Sequence, residues 1–183
     1  LSRTQSKRLR PIDKIEWLDE TQKQKHRGSI KLITDHLTKV EEGVTLSDRE
    51  LTFLQGFTGS DNPDTWTDAL WDSLEKTEKA YYDKLSQMAQ HDLGSYHEFM
   101  RPDEPPAHHH RYLCEILMAA ERGEYGFVGV SMPPGSAKSS IGSRSFVQWY
   151  MGRNPNKRVL AVGHGQQFVE HEFSKPNRDA IDT

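Results

Sequence analysis

Before residue 120, apolar residues recur at helical spacing; after residue 126 they gather into short unbroken runs. Over residues 12–42 they are sparse among charges (Ile12, Ile15, Trp17, Leu18, Ile30, Leu32, Ile33, Leu37, Val40), which predicts one or two amphipathic helices. Ser47-Asp-Arg-Glu50 is a capping box, expected to open a short helix through Leu51, Phe53 and Leu54. A loop from Gly56 to Pro63 follows. Thr65 is then expected to cap a long helix over 66–93, with Leu70, Leu74, Tyr81, Leu85 and Met88 along one stripe and Gly94 ending it. Arg101-Pro-Asp-Glu-Pro-Pro106 has the composition of a linker.

The second pattern starts at Phe127, Val128 and Val130, continuous enough for a strand buried in a parallel sheet. Pro133 and Pro134 cannot extend a ladder, so the chain turns there. Residues 141–150 suit a helix (Ile141, Phe146, Val147, Trp149, Tyr150), Asn154-Pro155-Asn156 is a turn, and 158–163 reads as a second buried strand. Strand, loop, helix, turn and strand make a βαβ unit. The expected fold class is α/β, a partial parallel sheet preceded by a helical N-terminal region. The expected division is a charged arm at 1–45, a helical region at 46–100, a linker at 101–107 and an α/β domain from 108 to 183.

The turn at 133–140 implies chemistry. Gly135 allows close backbone approach to a ligand, and the small side chains of Ser136 and Ala137 leave successive amides unobstructed. Amides between Pro134 and Ser140 at a helix start would form an anion nest, with Lys138 reaching the β- and γ-phosphates and the Ser139 hydroxyl joining Mg²⁺. A nucleoside triphosphate and Mg²⁺ are therefore expected, and ATP is the nucleotide that the family resemblance given below implies. The pattern G-x-x-x-x-G-K-[ST] is not matched: Met132 holds its first glycine position and Ala137 the glycine before the lysine.

Composition narrows the picture. The apolar fraction is 34%, 28% of residues are charged and mean hydropathy is −0.82, which suggests that part of the chain packs loosely. The net charge of −3 is not that of a dedicated nucleic-acid binder; residues 1–100 carry a net −4 and residues 101–183 a net +1. Residues 1–10 hold Arg3, Lys7, Arg8 and Arg10 without an acid, a basic arm for nucleic acid or a solvated tail. The single Cys114 excludes an internal disulfide and reads as a packed thiol among Leu113, Ile116, Leu117 and Met118. No run of 18 apolar residues suggests a membrane span. His108-His109-His110 invites a metal, with His97 as a conceivable fourth ligand, but consecutive helical residues diverge by about 100° and cannot converge on one ion. His164 follows the second apolar run, where ligands bind in open α/β sheets, or is a plain loop residue.

The chain resembles the large terminase subunit of tailed bacteriophages over residues 96–183. The resemblance rests on His109-His110-Arg111-Tyr112-Leu113-Cys114-Glu115, Glu121-Arg122-Gly123-Glu124, Met132-Pro-Pro-Gly-Ser-Ala-Lys-Ser139 and Trp149-Tyr150-Met151-Gly152-Arg153-Asn154-Pro155. Arg158-Val-Leu-Ala-Val-Gly-His164 and the stretch from Phe173 to Asp179 continue it. The resemblance implies a RecA-like, additional-strand P-loop ATPase domain in a motor that packages double-stranded DNA into a capsid. It implies phosphate contacts from Pro134, Gly135, Ser136, Ala137, Lys138, Ser139 and Ser140, and base contacts near His109 and His110. Portal protein, the small terminase subunit and a host-cytoplasmic location follow from the same resemblance, as does a homo-oligomer for the full-length protein. Many relatives carry an arginine where Gly135 stands; Arg144 is the candidate for that phosphate sensor.

No acid closes an apolar run after His171 (the candidates are Glu172, Asp179 and Asp182), so the catalytic carboxylate is expected beyond Thr183, together with the family's nuclease domain. This chain is thus expected to bind nucleotide feebly and hardly to hydrolyse it. Two other readings stay open: a different P-loop NTPase or nucleotide kinase, and a non-enzymatic assembly adaptor with a vestigial nucleotide fold.

Overall fold

The computed structural model of the chain describes residues 17–62 and 64–181. The basic arm at 1–10, Ile12, Ile15 and Asp182 lie outside them. The described chain forms two compact units, residues 17–84 and 85–181.

In the first unit, α1 (Glu20–Glu41), α2 (Asp48–Thr58) and most of α3 (Asp64–Ala89) share one core. α1 opens at Asp19, whose carboxylate accepts the Gln22 amide at 2.8 Å while the Gln22 side chain accepts the Asp19 amide at 2.9 Å. α2 opens at Ser47, where the Glu50 carboxylate accepts both the amide and the hydroxyl of Ser47. The same carboxylate pairs with Lys39 of α1; Lys39 first, then Ser47, pulls the Glu50 pKa down to about 2. Ile33, Leu37, Leu54, Trp66, Leu70 and Leu74 close the core, with Leu54 and Leu70 wholly buried. Burying one such leucine contributes about 1.5–3 kcal/mol.

α3 begins one residue before Thr65, whose amide and hydroxyl both donate to the Asn62 carbonyl. It ends at Ala89, short of the expected Leu93. The Asp92 carboxylate accepts the Ser95 amide at 2.6 Å and starts a separate helix, α4 (Leu93–Met100), with Gly94 buried inside it. A side-chain cap outweighs the glycine as a boundary signal here.

The second unit contains the end of α3, then α4, α5 (His108–Glu121), α6 (Phe146–Arg153), α7 (Gln166–Val169) and α8 (Lys175–Ile181). Two π-helical turns, Ser140–Ser145 and Glu170–Ser174, run directly into α6 and α8. Leu93, Leu113, Cys114, Leu117, Ile141 and Trp149 form its core. The Trp149 indole donates to the Ala89 carbonyl at 3.0 Å.

The expected parallel sheet is absent: no strand occurs among the described residues. Residues 127–133 and 158–163 lack regular structure, and Phe127, Leu160 and Val162 are 89%, 87% and 79% exposed. The physical reason is that a helix closes its own i→i−4 bonds, whereas an apolar run becomes a strand only against a partner. These two runs pair neither with each other nor with any other described segment. The α/β, RecA-like assignment is therefore corrected to an all-helical arrangement over the described residues. No helix among them is long and apolar enough to cross a membrane.

Pro176 sits in the first turn of α8 rather than breaking it. Proline supplies no amide to the carbonyl four residues back, Glu172. Arg144 Nε donates to that carbonyl at 3.2 Å, and its Nη2 to the Glu172 carboxylate at 2.7 Å.

Candidate functional site: the loop at 133–140

Residues 134–137 form a turn, Lys138 and Ser139 enter helical geometry, and the Ile141 amide closes the first bond on the Ala137 carbonyl at 3.0 Å. The first amides of such a helix have no intrahelical acceptor. The turn is made by two left-handed residues, Gly135 (φ 77°) and Ala137 (φ 53°). Ala137 is the one non-glycine residue with positive φ among the described residues. For a residue with a Cβ this costs about 1–2 kcal/mol, so the surroundings must enforce it.

The loop's carbonyls are held from within the chain. The Pro133 carbonyl accepts the Ser136 hydroxyl at 2.7 Å, the Ser136 amide at 3.3 Å and the Lys138 amine at 3.5 Å. The Ser136 carbonyl lies 3.1 Å from His110 Nε2. His110 Nδ1 accepts the Ala107 amide at 3.1 Å, which places the ring proton on Nε2 and makes Nε2 the donor to Ser136. Burial, then the adjacent His109 ring, lowers the His110 pKa, with the Ser136 carbonyl opposing. Ser139 is exposed, the Lys138 amine reaches only the Pro133 carbonyl at 3.5 Å, and the first amides of a helix favour an anion. These groups fit the phosphates and metal of a nucleotide.

The neighbouring histidines are separated by what they touch. His109 stacks edge-on to His110, ring centroids 3.9 Å apart, and lines a cavity of about 290 Å³ with Tyr112, Ile116, Val128, Val130 and Met132. Both nitrogens of His110 are already engaged. His97 is buried against the Ser145 hydroxyl at 2.8 Å. Its pKa is lowered by burial, with Arg101 and His110 adding and Glu104 opposing. Among the described residues no three or more His, Cys, Asp or Glu side chains gather as a metal set.

Arg144, the candidate phosphate sensor, is tied to Glu172. His164 lies outside regular structure with its ring 4.8 Å from Phe168, and a Cβ at Gly163 before it would sit 2.6 Å from Val169 Cγ2 and require that side chain to shift. Cys114 is buried, and burial followed by Asp92 pushes its thiol up to about 12, leaving it protonated and packed.

Nothing in the residue pattern singled out the His110–Ser136 contact or the Arg144–Glu172 tie, because both join positions more than 25 residues apart. No protein-family model, curated protein or solved structure matches the chain.

Proposed function

We propose that residues 133–140 bind the phosphates of ATP together with Mg²⁺, and that the chain is the nucleotide-binding part of a DNA-packaging motor of the large-terminase kind. Lys138 neutralises the outer phosphates, the Ser139 hydroxyl joins the metal's ligands, and the amides of Gly135, Ala137, Lys138, Ser139 and Ser140 take the phosphate oxygens. The observation that carries this reading is the left-handed Ala137 immediately before the Lys-Ser pair that opens a helix. That is the position where the general phosphate-loop pattern places glycine, and glycine is favoured there because φ is positive. The cavity beside His109 is the seat assigned to the base. Double-stranded DNA, a portal protein and a small terminase subunit are the partners this reading names, acting in the host cytoplasm.

The test is calorimetric titration of Mg-ATPγS into the wild-type chain and Lys138→Ala. Loss of one charged phosphate contact is expected to weaken binding by at least about tenfold. Equal affinity in the two proteins would remove Lys138 from the site and with it this reading. A second reading, an assembly adaptor without nucleotide chemistry, draws on residues 17–84, whose core closes without the loop. A wild-type chain inert toward Mg-ATPγS would favour it.

A further inference from the structure

We propose that His110 is the positioning residue of the loop: as the neutral, Nε2-protonated tautomer it holds the Ser136 carbonyl and thereby sets the peptide plane that keeps Ala137 left-handed. The regulatory consequence for nucleotide binding rests on the function proposed above; the conformational claim does not.

The peptide unit couples the two residues. The Ser136 carbonyl and the Ala137 amide belong to one rigid trans plane and point in opposite directions. A donor that fixes the carbonyl on the α5 side therefore directs the Ala137 N–H to the other side, and fixes the plane about which φ of Ala137 is measured. His110 supplies that donor from the first turn of α5, at 3.1 Å. Its tautomer is not free, because the Ala107 amide can only donate and occupies Nδ1. The imidazole thus joins two backbone groups of opposite kind, the Ala107 amide and the Ser136 carbonyl, and the strained residue lies directly after the carbonyl it grips. A glycine at 137 would adopt positive φ unaided. With alanine there, the conformation needs an external hold, and His110 is the side chain from outside the loop that provides it.

Two substitutions divide the ring's functions. His110→Asn keeps an acceptor near the Ala107 amide but cannot reach Ser136. His110→Gln keeps a donor at the reach of Nε2 and gives up the cap. Both are compared with wild type in the full chain by amide and Cα chemical shifts and the amide coupling of Ala137, without ligand, after unfolding curves establish that they fold. The expected result is an Ala137 signal that leaves the positive-φ pattern in His110→Asn and keeps it in His110→Gln. Mg-ATPγS binding should follow, weakened about tenfold or more in the first and near wild type in the second. His110→Asn combined with Ala137→Gly should recover binding, since glycine needs no hold.

An Ala137 signal unchanged in His110→Asn would overturn the inference. So would equal loss in both variants, or loss in His110→Gln alone, which would make the ring a packing element or a helix cap. If the wild-type chain binds no Mg-ATPγS, the nucleotide reading fails while the Ala137 signal still decides the role of His110.

Discussion

Residues 17–84 and 85–181 are both helical, yet they dispose of their apolar side chains differently. In the first unit the helical stripes meet: Ile33, Leu37, Leu54, Trp66, Leu70 and Leu74 come from three helices and enclose one another. In the second, a comparable core around Leu93, Leu117, Ile141 and Trp149 coexists with Phe127, Leu160 and Val162 standing in solvent. An amphipathic stripe needs only a neighbouring stripe, whereas a continuous apolar run needs cover on both faces. Folding physics completes the first unit. The second also contains the strained loop, the feature with no packing rationale of its own.

The comparison can be broken most forcefully in the cores. Leu70→Ala, at a site with no exposure, should destabilise residues 17–84 by about 2–5 kcal/mol in urea unfolding. Leu160→Ser, at an 87% exposed position, should change stability by no more than about 0.5 kcal/mol. A large loss from the second substitution would mean that the 158–163 run is buried after all.

Acid should separate the units in order. His97 has a lowered folded pKa, so the unfolded chain binds more protons and stability falls as pH drops below the ordinary 6.5. His110 acts in the same sense. Glu50 is also depressed, from 4.5 to about 2, so its contribution is present above 4.5 and disappears only between those values. Amide cross-peaks of 85–181 should therefore weaken at mildly acidic pH while those of 17–84 persist. The reverse order would contradict the assignment of His97 as a buried neutral partner of Ser145.

At the loop the expected effect is small. Ala137→Gly should leave stability within about 1 kcal/mol of wild type or raise it, because relief of left-handed strain offsets the added freedom of the unfolded chain. A clear destabilisation would mean that φ at 137 is negative in solution.

Local signals were readable from the residues. The Ser47–Glu50 pairing marks the start of α2, and the Leu70–Leu74 stripe marks the buried face of α3. The place where Lys138 opens a helix follows from the Pro/Gly turn before it. The boundary at Asp92 was hidden because Gly94 carries the stronger textual signal, although a capped helix can bury a glycine. The apolar runs at 127–130 and 158–163 misled for a deeper reason: strand formation depends on a partner, and composition cannot supply one. At the candidate site, Gly135 and Lys138 were visible from the motif. His110 was named through the family resemblance as a base contact, and its hold on Ser136 could not be read, since no periodicity links positions 110 and 136.

On the function proposed above, the turn at 133–140 receives phosphate oxygens. Titration of the ¹⁵N-labelled chain with Mg-ATPγS, read as an amide shift map, tests it most directly. The account predicts saturable shifts concentrated at Gly135, Ala137, Lys138, Ser139 and Ser140, abolished in Lys138→Ala. Shifts that spread over other basic side chains, such as Arg153 and Arg158, while leaving these amides unmoved would contradict it.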